Sequence, residues 1–124
     1  MAHILVVDDE VNIRKVVREY AEFEGYEVTE AENGMEAVNL CHDNDSELII
    51  MDVMMPKLNG YEATKAIRSL QNRPDAESMP IIAMTANAFA EDVQKSLEAG
   101  MNGHLSKPIV MDEVVKTIAR NLNR

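Results

Sequence analysis

A single cysteine, Cys41, among 124 residues excludes an internal disulfide. It shares a helical pattern with Ala37 and Val38, so it reads as a small buried hydrophobe rather than a reactive thiol. The chain is consistent with a reducing cytoplasm. Positive charge is scarce as well: 12 Lys and Arg face 22 Asp and Glu, a net charge of -10. That balance, with no basic run and no basic patch interleaved with aromatics, argues against direct nucleic-acid binding, because phosphate contacts need clustered Lys and Arg. No apolar run approaches the ~20 residues of a membrane-crossing helix. The N-terminus lacks the basic region of a signal peptide and soon meets Asp8, Asp9 and Glu10. Internal repeats, low-complexity tracts and linkers are also missing. Residues 1–124 are therefore expected to form one cytoplasmic domain without membrane contact.

Hydrophobic residues make up 46% of the chain and charged ones 27%, enough for one buried core. The most informative stretch is Leu48-Ile49-Ile50-Met51-Asp52. Four apolar residues run without alternation into one carboxylate, which suits a strand covered on both faces. In open α/β sheets ligands bind where such strands end. Asp52 is then a nucleophile, a metal ligand or a helix cap.

Similar runs recur. Ile4 to Val7 is a strand that ends in Asp8-Asp9-Glu10, and Ile13, Val16, Val17 and Tyr20 mark the face of a helix that Gly25 stops. Glu27 to Ala31 is a more polar strand, suited to a sheet edge. Asn33-Gly34 turns the chain into a helix over Met35 to His42. After Asp52 and the loop from Lys57 to Gly60, Ala63, Ile67 and Leu70 mark a third helix. Gln71 to Met79 forms the longest loop. Ile81 to Met84 is a strand with Thr85 at its end; Ala90, Val93 and Leu97 give a fourth helix, closed by Gly100. His104 to Ser106 is a fifth strand, followed by Lys107-Pro108 and a helix over Met111 to Leu122. This alternation predicts an α/β fold: a (βα)5 doubly wound, five-stranded parallel sheet of flavodoxin-like order 2-1-3-4-5.

In a parallel sheet all strand C-termini share one edge. Asp8, Asp9, Asp52, Thr85 and Lys107 therefore gather there, while Asp43 and Asp45 precede their strand and fall at the opposite edge. Crowded carboxylates repel unless a cation neutralises them, and oxygen-only ligands point to Mg2+. A metal, a lysine and a hydroxyl around one carboxylate suit the receipt of a phosphoryl group. Taken singly, Asp8, Asp9 or Thr85 would serve as well to cap the following helix, and Lys107 would be an ordinary loop lysine.

The segments Ile4-Leu5-Val6-Val7-Asp8-Asp9-Glu10, Met51-Asp52-Val53-Met54-Met55-Pro56 with Gly60, Met84-Thr85-Ala86 and Lys107-Pro108 together resemble the receiver domains of bacterial two-component response regulators. The resemblance covers essentially the whole chain. The stretches Ile82 to Ala88 and Gly100 to Ile109 look most like receivers fused to hybrid sensor kinases, whereas the first third is more like receivers of transcriptional regulators. The resemblance implies that Asp52 accepts phosphate from a histidine of a sensor kinase or histidine phosphotransfer protein. It implies Mg2+, for which Mn2+ can substitute, on Asp9, Asp52 and the backbone carbonyl of Met54, with Asp8 acting through water. Lys107 would pair with the phosphoryl oxygens, Thr85 would swing to hydrogen-bond them, and Ala86 would leave room. The bond before Pro108 would be cis.

Met54 and Asn87, flanking the site, would set the lifetime of the acyl phosphate. Where such domains often carry Tyr or Phe, three residues before the lysine, this chain has His104. It is read first as a structural histidine packed on the last strand, and alternatively as a switch that moves with Thr85. The resemblance also implies a switchable face formed by the fourth helix, fifth strand and fifth helix. It implies no enzyme in the metabolic sense, only catalysis of self-modification. Rival readings are an aspartyl-nucleophile phosphohydrolase, a flavodoxin-like cofactor binder and a non-phosphorylated docking scaffold. The first wants a second Asp where Met54 stands. The second wants a Ser/Thr/Gly-rich loop where Asp8-Asp9-Glu10 would repel a phosphate.

Overall fold

The computed structural model describes residues 2–43, 46–55, 58–71, 75–86 and 90–122. Strands β1 (His3–Val7), β2 (Glu27–Ala31), β3 (Leu48–Asp52), β4 (Ile81–Thr85) and β5 (Gly103–Ser106) alternate with helices α1 (Val11–Phe23), α2 (Gly34–Asp43), α3 (Gly60–Arg68), α4 (Ala90–Ala99) and α5 (Met111–Leu122). All pairings are parallel, and the order is β2-β1-β3-β4-β5. The flavodoxin-like order expected from the alternation is the one observed. Among the described residues, no helix is long and apolar enough to cross a membrane.

The unbroken apolar runs follow from burial on both sheet faces. Ile49 and Met51 join Ala37, Cys41, Ala63 and Ile67 in a core on the α2–α3 side. Leu48 and Ile50 point the other way, into a core with Val17, Ala21, Val114 and Ile118 of α1 and α5. Burying each of these large side chains contributes about 1.5–3 kcal/mol. Cys41 is buried, as its helical spacing suggests. Gly25 and Gly100 follow α1 and α4 with φ of 91° and 103°, the left-handed conformation that stops a helix.

One helix face differs from expectation. Leu97, part of the apolar pattern that marks α4, is 56% exposed, whereas Ser96 and Ala99 are buried. α4 packs beside α3 and β5, and the small side chains at 96 and 99 let it approach closely while Leu97 turns outward. Asp45, Asn87, Pro56, Lys57 and Pro74 lie outside the described residues. Asp43 closes α2 ahead of β3, hence at the sheet edge away from the end of β3.

Candidate functional site

Four loops at the C-terminal edge of the sheet build the site. β1 stops at Val7 and delivers Asp8 and Asp9; Asp52 is the last residue of β3, Thr85 the last of β4, and Lys107 directly follows β5. Carboxylate oxygens of Asp8, Asp9 and Asp52 all lie within 4.8 Å of one another. Asp8 and Asp52 are buried, whereas Asp9 is exposed. Lys107 Nζ stands 3.2 Å from Asp8 Oδ2 and 3.5 Å from Asp52 Oδ2. All five residues singled out by the alternation are thus brought to one edge.

The carboxylates are oriented by backbone donors. Glu10 N–H donates to Asp8 Oδ1 at 2.9 Å, and Met54 N–H donates to Asp52 Oδ1 at 3.2 Å. The N-cap of α1 is Glu10 rather than Asp8 or Asp9, and its side chain makes no capping hydrogen bond. Asp8 Oδ2 is buried and faces the Lys107 ammonium at 3.2 Å. Thr85 Oγ1 is also buried and has no partner among the described residues. An orphaned buried hydroxyl costs about 1–3 kcal/mol unless a ligand satisfies it.

Electrostatics follow from this crowding. Burial, and then the nearby Asp8 charge, push Asp52 up from 3.8 to about 6, against the pull of the Met54 N–H and Lys107. Burial also raises Asp8, only partly offset by the Glu10 N–H and Lys107. Burial works against the charge on Lys107, but Asp52 and Asp8 together outweigh it and raise its pKa. The site thus holds more negative charge than one lysine neutralises.

His104 departs from its first reading. It is exposed, because β5 is an edge strand, bonded among the described residues to β4 alone. With Glu113, Lys116 and Arg120 it lines an open cavity of about 360 Å³. Met54 is 75% exposed at the mouth of the site. The Lys107–Pro108 bond is cis. Sequence reasoning missed Arg14, whose Nη1 donates to the Asp8 carbonyl at 2.7 Å and whose Nε donates to Glu30 at 3.0 Å. Its one signal was a basic residue early in a helix, where the dipole disfavours it.

A five-stranded parallel sheet carrying three acids, a threonine and a lysine at its strand ends is the architecture of a receiver. The chain belongs to the response regulator receiver domain family, whose model matches residues 4–119. It is a receiver domain of two-component systems. It is 37% identical over 116 residues to the sensor histidine kinase RcsC of Salmonella typhi, covering 94% of this chain and 12% of that protein. It is 36% identical over 124 residues to the response regulator SaeR of Staphylococcus aureus, covering all of this chain and 52% of that protein. The chain therefore spans a minor part of the kinase and about half of the regulator. Among solved structures it resembles the Vibrio cholerae chemotaxis response regulator CheY4, with a TM-score of 0.91, 34% identity and 98% of each chain covered. It also resembles the receiver domain of sensor histidine kinase PA1611 from Pseudomonas aeruginosa, with a TM-score of 0.89 and 35% identity, covering 99% of this chain and 98% of that one. That structure has a magnesium ion coordinated in its active site cleft.

Proposed function

We propose that Asp52 is the phosphoacceptor, and that its donor is a histidine on a cytoplasmic sensor kinase or histidine phosphotransfer protein. The observation that carries this reading is the convergence on Asp52. Lys107 Nζ lies 3.5 Å from it, Asp8 and Asp9 oxygens lie within 4.8 Å, and the orphaned Thr85 hydroxyl ends the neighbouring strand.

Asp8, Asp9, Asp52 and the backbone carbonyl of Met54 would hold Mg2+, or Mn2+ in its place. An all-oxygen donor set of three converging carboxylates, two of them buried, fits a hard cation. Once bound, it would supply charge neutralisation to the phosphoryl oxygens. An Asp52 oxygen attacks phosphorus as the donor's P–N bond breaks; the electron pair stays on the imidazole nitrogen, which takes a proton from solvent. The Lys107 ammonium donates to one phosphoryl oxygen and the Thr85 hydroxyl to another, while small Ala86 leaves room. Water later cleaves the acyl phosphate, releasing inorganic phosphate and restoring the carboxylate. The protein acts on itself and turns over no metabolite.

His104 pairs in register with Ala83, two residues before Thr85, so by the period of two it shares Thr85's face of the sheet. Inward movement of Thr85 towards phosphate would shift His104 and rework the surface of α4, β5 and α5 for a partner. Met54 and Asn87 would govern how fast water reaches the acyl phosphate. The exposed Met54 side chain offers that water no hydrogen bond, so Met54→Asn is expected to shorten the phosphoryl half-life. An unchanged decay in a chase after donor removal refutes that role.

Mg2+ binding must displace the proton from Asp52. With its carboxyl at about 6, the protonated fraction rises from roughly a tenth to nine tenths between pH ~7 and ~5, so apparent Mg2+ affinity falls about tenfold. Titration calorimetry at several pH values reads this directly, and a flat affinity contradicts it. The functional test is incubation with acetyl phosphate and Mg2+, followed by intact-mass spectrometry. One added phosphoryl group that requires Mg2+ supports the reading. Turnover of a phosphomonoester, or no adduct at all, overturns it.

A further inference from the structure

The first turn of α1 breaks two local rules together. It has no side-chain cap and no acidic residue, although its N–H groups favour both. Arg14 instead sits one turn in, with its charge opposed by the helix dipole and close to a cluster that would hold a cation. The helix alone does not explain a guanidinium there. Its contacts do. Nη1 donates to the backbone carbonyl of Asp8 at 2.7 Å, and Nε bonds Glu30 of the edge strand β2 at 3.0 Å. Arg18 Nη1 holds the other Glu30 oxygen at 2.8 Å, so the acceptor is fixed from two sides. The Arg14 side chain is only 14% exposed.

The Asp8 carbonyl belongs to the peptide plane that joins Asp8 to Asp9. The N–H of Asp8 is tied to Ala31 at 3.1 Å, so the Arg14 bond fixes the other end of this residue. Asp9 is the exposed member of the acidic trio, and its direction depends on that plane.

We propose that Arg14 is a positioning residue for the cation site: it clamps the Asp8–Asp9 peptide and so holds the Asp9 carboxylate in register with Asp8 and Asp52. Glu30 aims Arg14, linking the outer strand to metal affinity. The inference rests on the reading of the trio as a Mg2+ site.

Electrostatics alone gives the opposite sign, which makes the test sharp. Removing a positive charge near a cation site should tighten binding. Removing a clamp should weaken it, and supports of metal ligands are typically worth 10–100-fold in affinity. Mg2+ titration calorimetry on the whole chain, beside acetyl phosphate kinetics at rising Mg2+, separates the two. Arg14→Ala is expected to weaken Mg2+ binding about tenfold while the rate at saturating Mg2+ changes by less than ~3-fold. Arg14→Lys keeps the charge but lacks the planar fork, and is expected to fall between wild type and Arg14→Ala. Circular dichroism without Mg2+ checks folding, and the Lys variant carries the test if the Ala variant unfolds. Unchanged or tighter Mg2+ binding by a folded variant overturns the proposal, as does a loss confined to the saturated rate. Absence of Mg2+ binding by the wild type would overturn the metal reading itself, and this inference with it.

Discussion

Asp52→Asn is expected to abolish phosphorylation by acetyl phosphate and, at the same time, to stabilise the metal-free protein near neutral pH. The two effects share one cause. Burial and the neighbouring Asp8 raise the Asp52 carboxyl from 3.8 to about 6, so the folded state keeps a proton that the unfolded chain releases. For an acid with a raised pKa, stability is lost as pH climbs from about 4 to about 6 and stays low above that. Asparagine carries no charge and escapes this loss. The gain should be about 1–3 kcal/mol, after allowing for the contact with Lys107 that is given up. Lys107 retains its second carboxylate, Asp8, at 3.2 Å. Urea unfolding of both proteins without metal, across this pH range, gives the numbers. The difference should shrink towards zero below pH ~4, where both side chains are neutral. A variant that is less stable at neutral pH, or still acquires a phosphoryl group, contradicts the account.

Gly60→Ala is expected to destabilise the fold by about 2–3 kcal/mol, although alanine is the better helix former by roughly 1 kcal/mol. A Cβ at Gly60 would fall 2.5 Å from the Asp52 carbonyl oxygen and 2.8 Å from Val53 Cα. Both are backbone atoms at the end of the central strand and cannot rotate away. α3 or the end of β3 must shift, and Asp52 with it. The variant should therefore lose phosphorylation rate as well as stability, measured by acetyl phosphate kinetics and urea unfolding. A gain in stability would show that helix propensity outweighs the contact.

The parts of this molecule that could be read before folding are those written in short-range patterns. Four apolar residues ahead of Asp52 and the period change after Glu10 located strands and helices, and parallel order then carried the polar ends to one edge. Leu97 belongs to the apolar pattern of α4 yet lies outward, because hydrophobicity alone does not say that small residues at 96 and 99 form the packing face. His104 was expected to be packed because the covering of an edge strand is a tertiary matter. Cross-chain anchors were illegible. Arg68 donates to the carbonyls of Gly100 at 2.7 Å and Ala76 at 3.0 Å, and to Asn102 Oδ1 at 2.7 Å, tying α3 to segments far along the chain. Arg14 reaches Glu30 in the same way. Such pairs have no spacing rule, since register and crossover geometry create them.

What the site is for rests on whether its residues close around a phosphoryl group on Asp52. A crystal structure of the protein with Mg2+ and beryllium fluoride tests this most directly. The expected result is a fluoroberyllate bonded to an Asp52 oxygen, with the cation against Asp8, Asp9 and Asp52, and with Lys107 and the Thr85 hydroxyl bonded to fluorine. A bare Asp52 with Lys107 turned away, or an adduct on another carboxylate, would contradict the account.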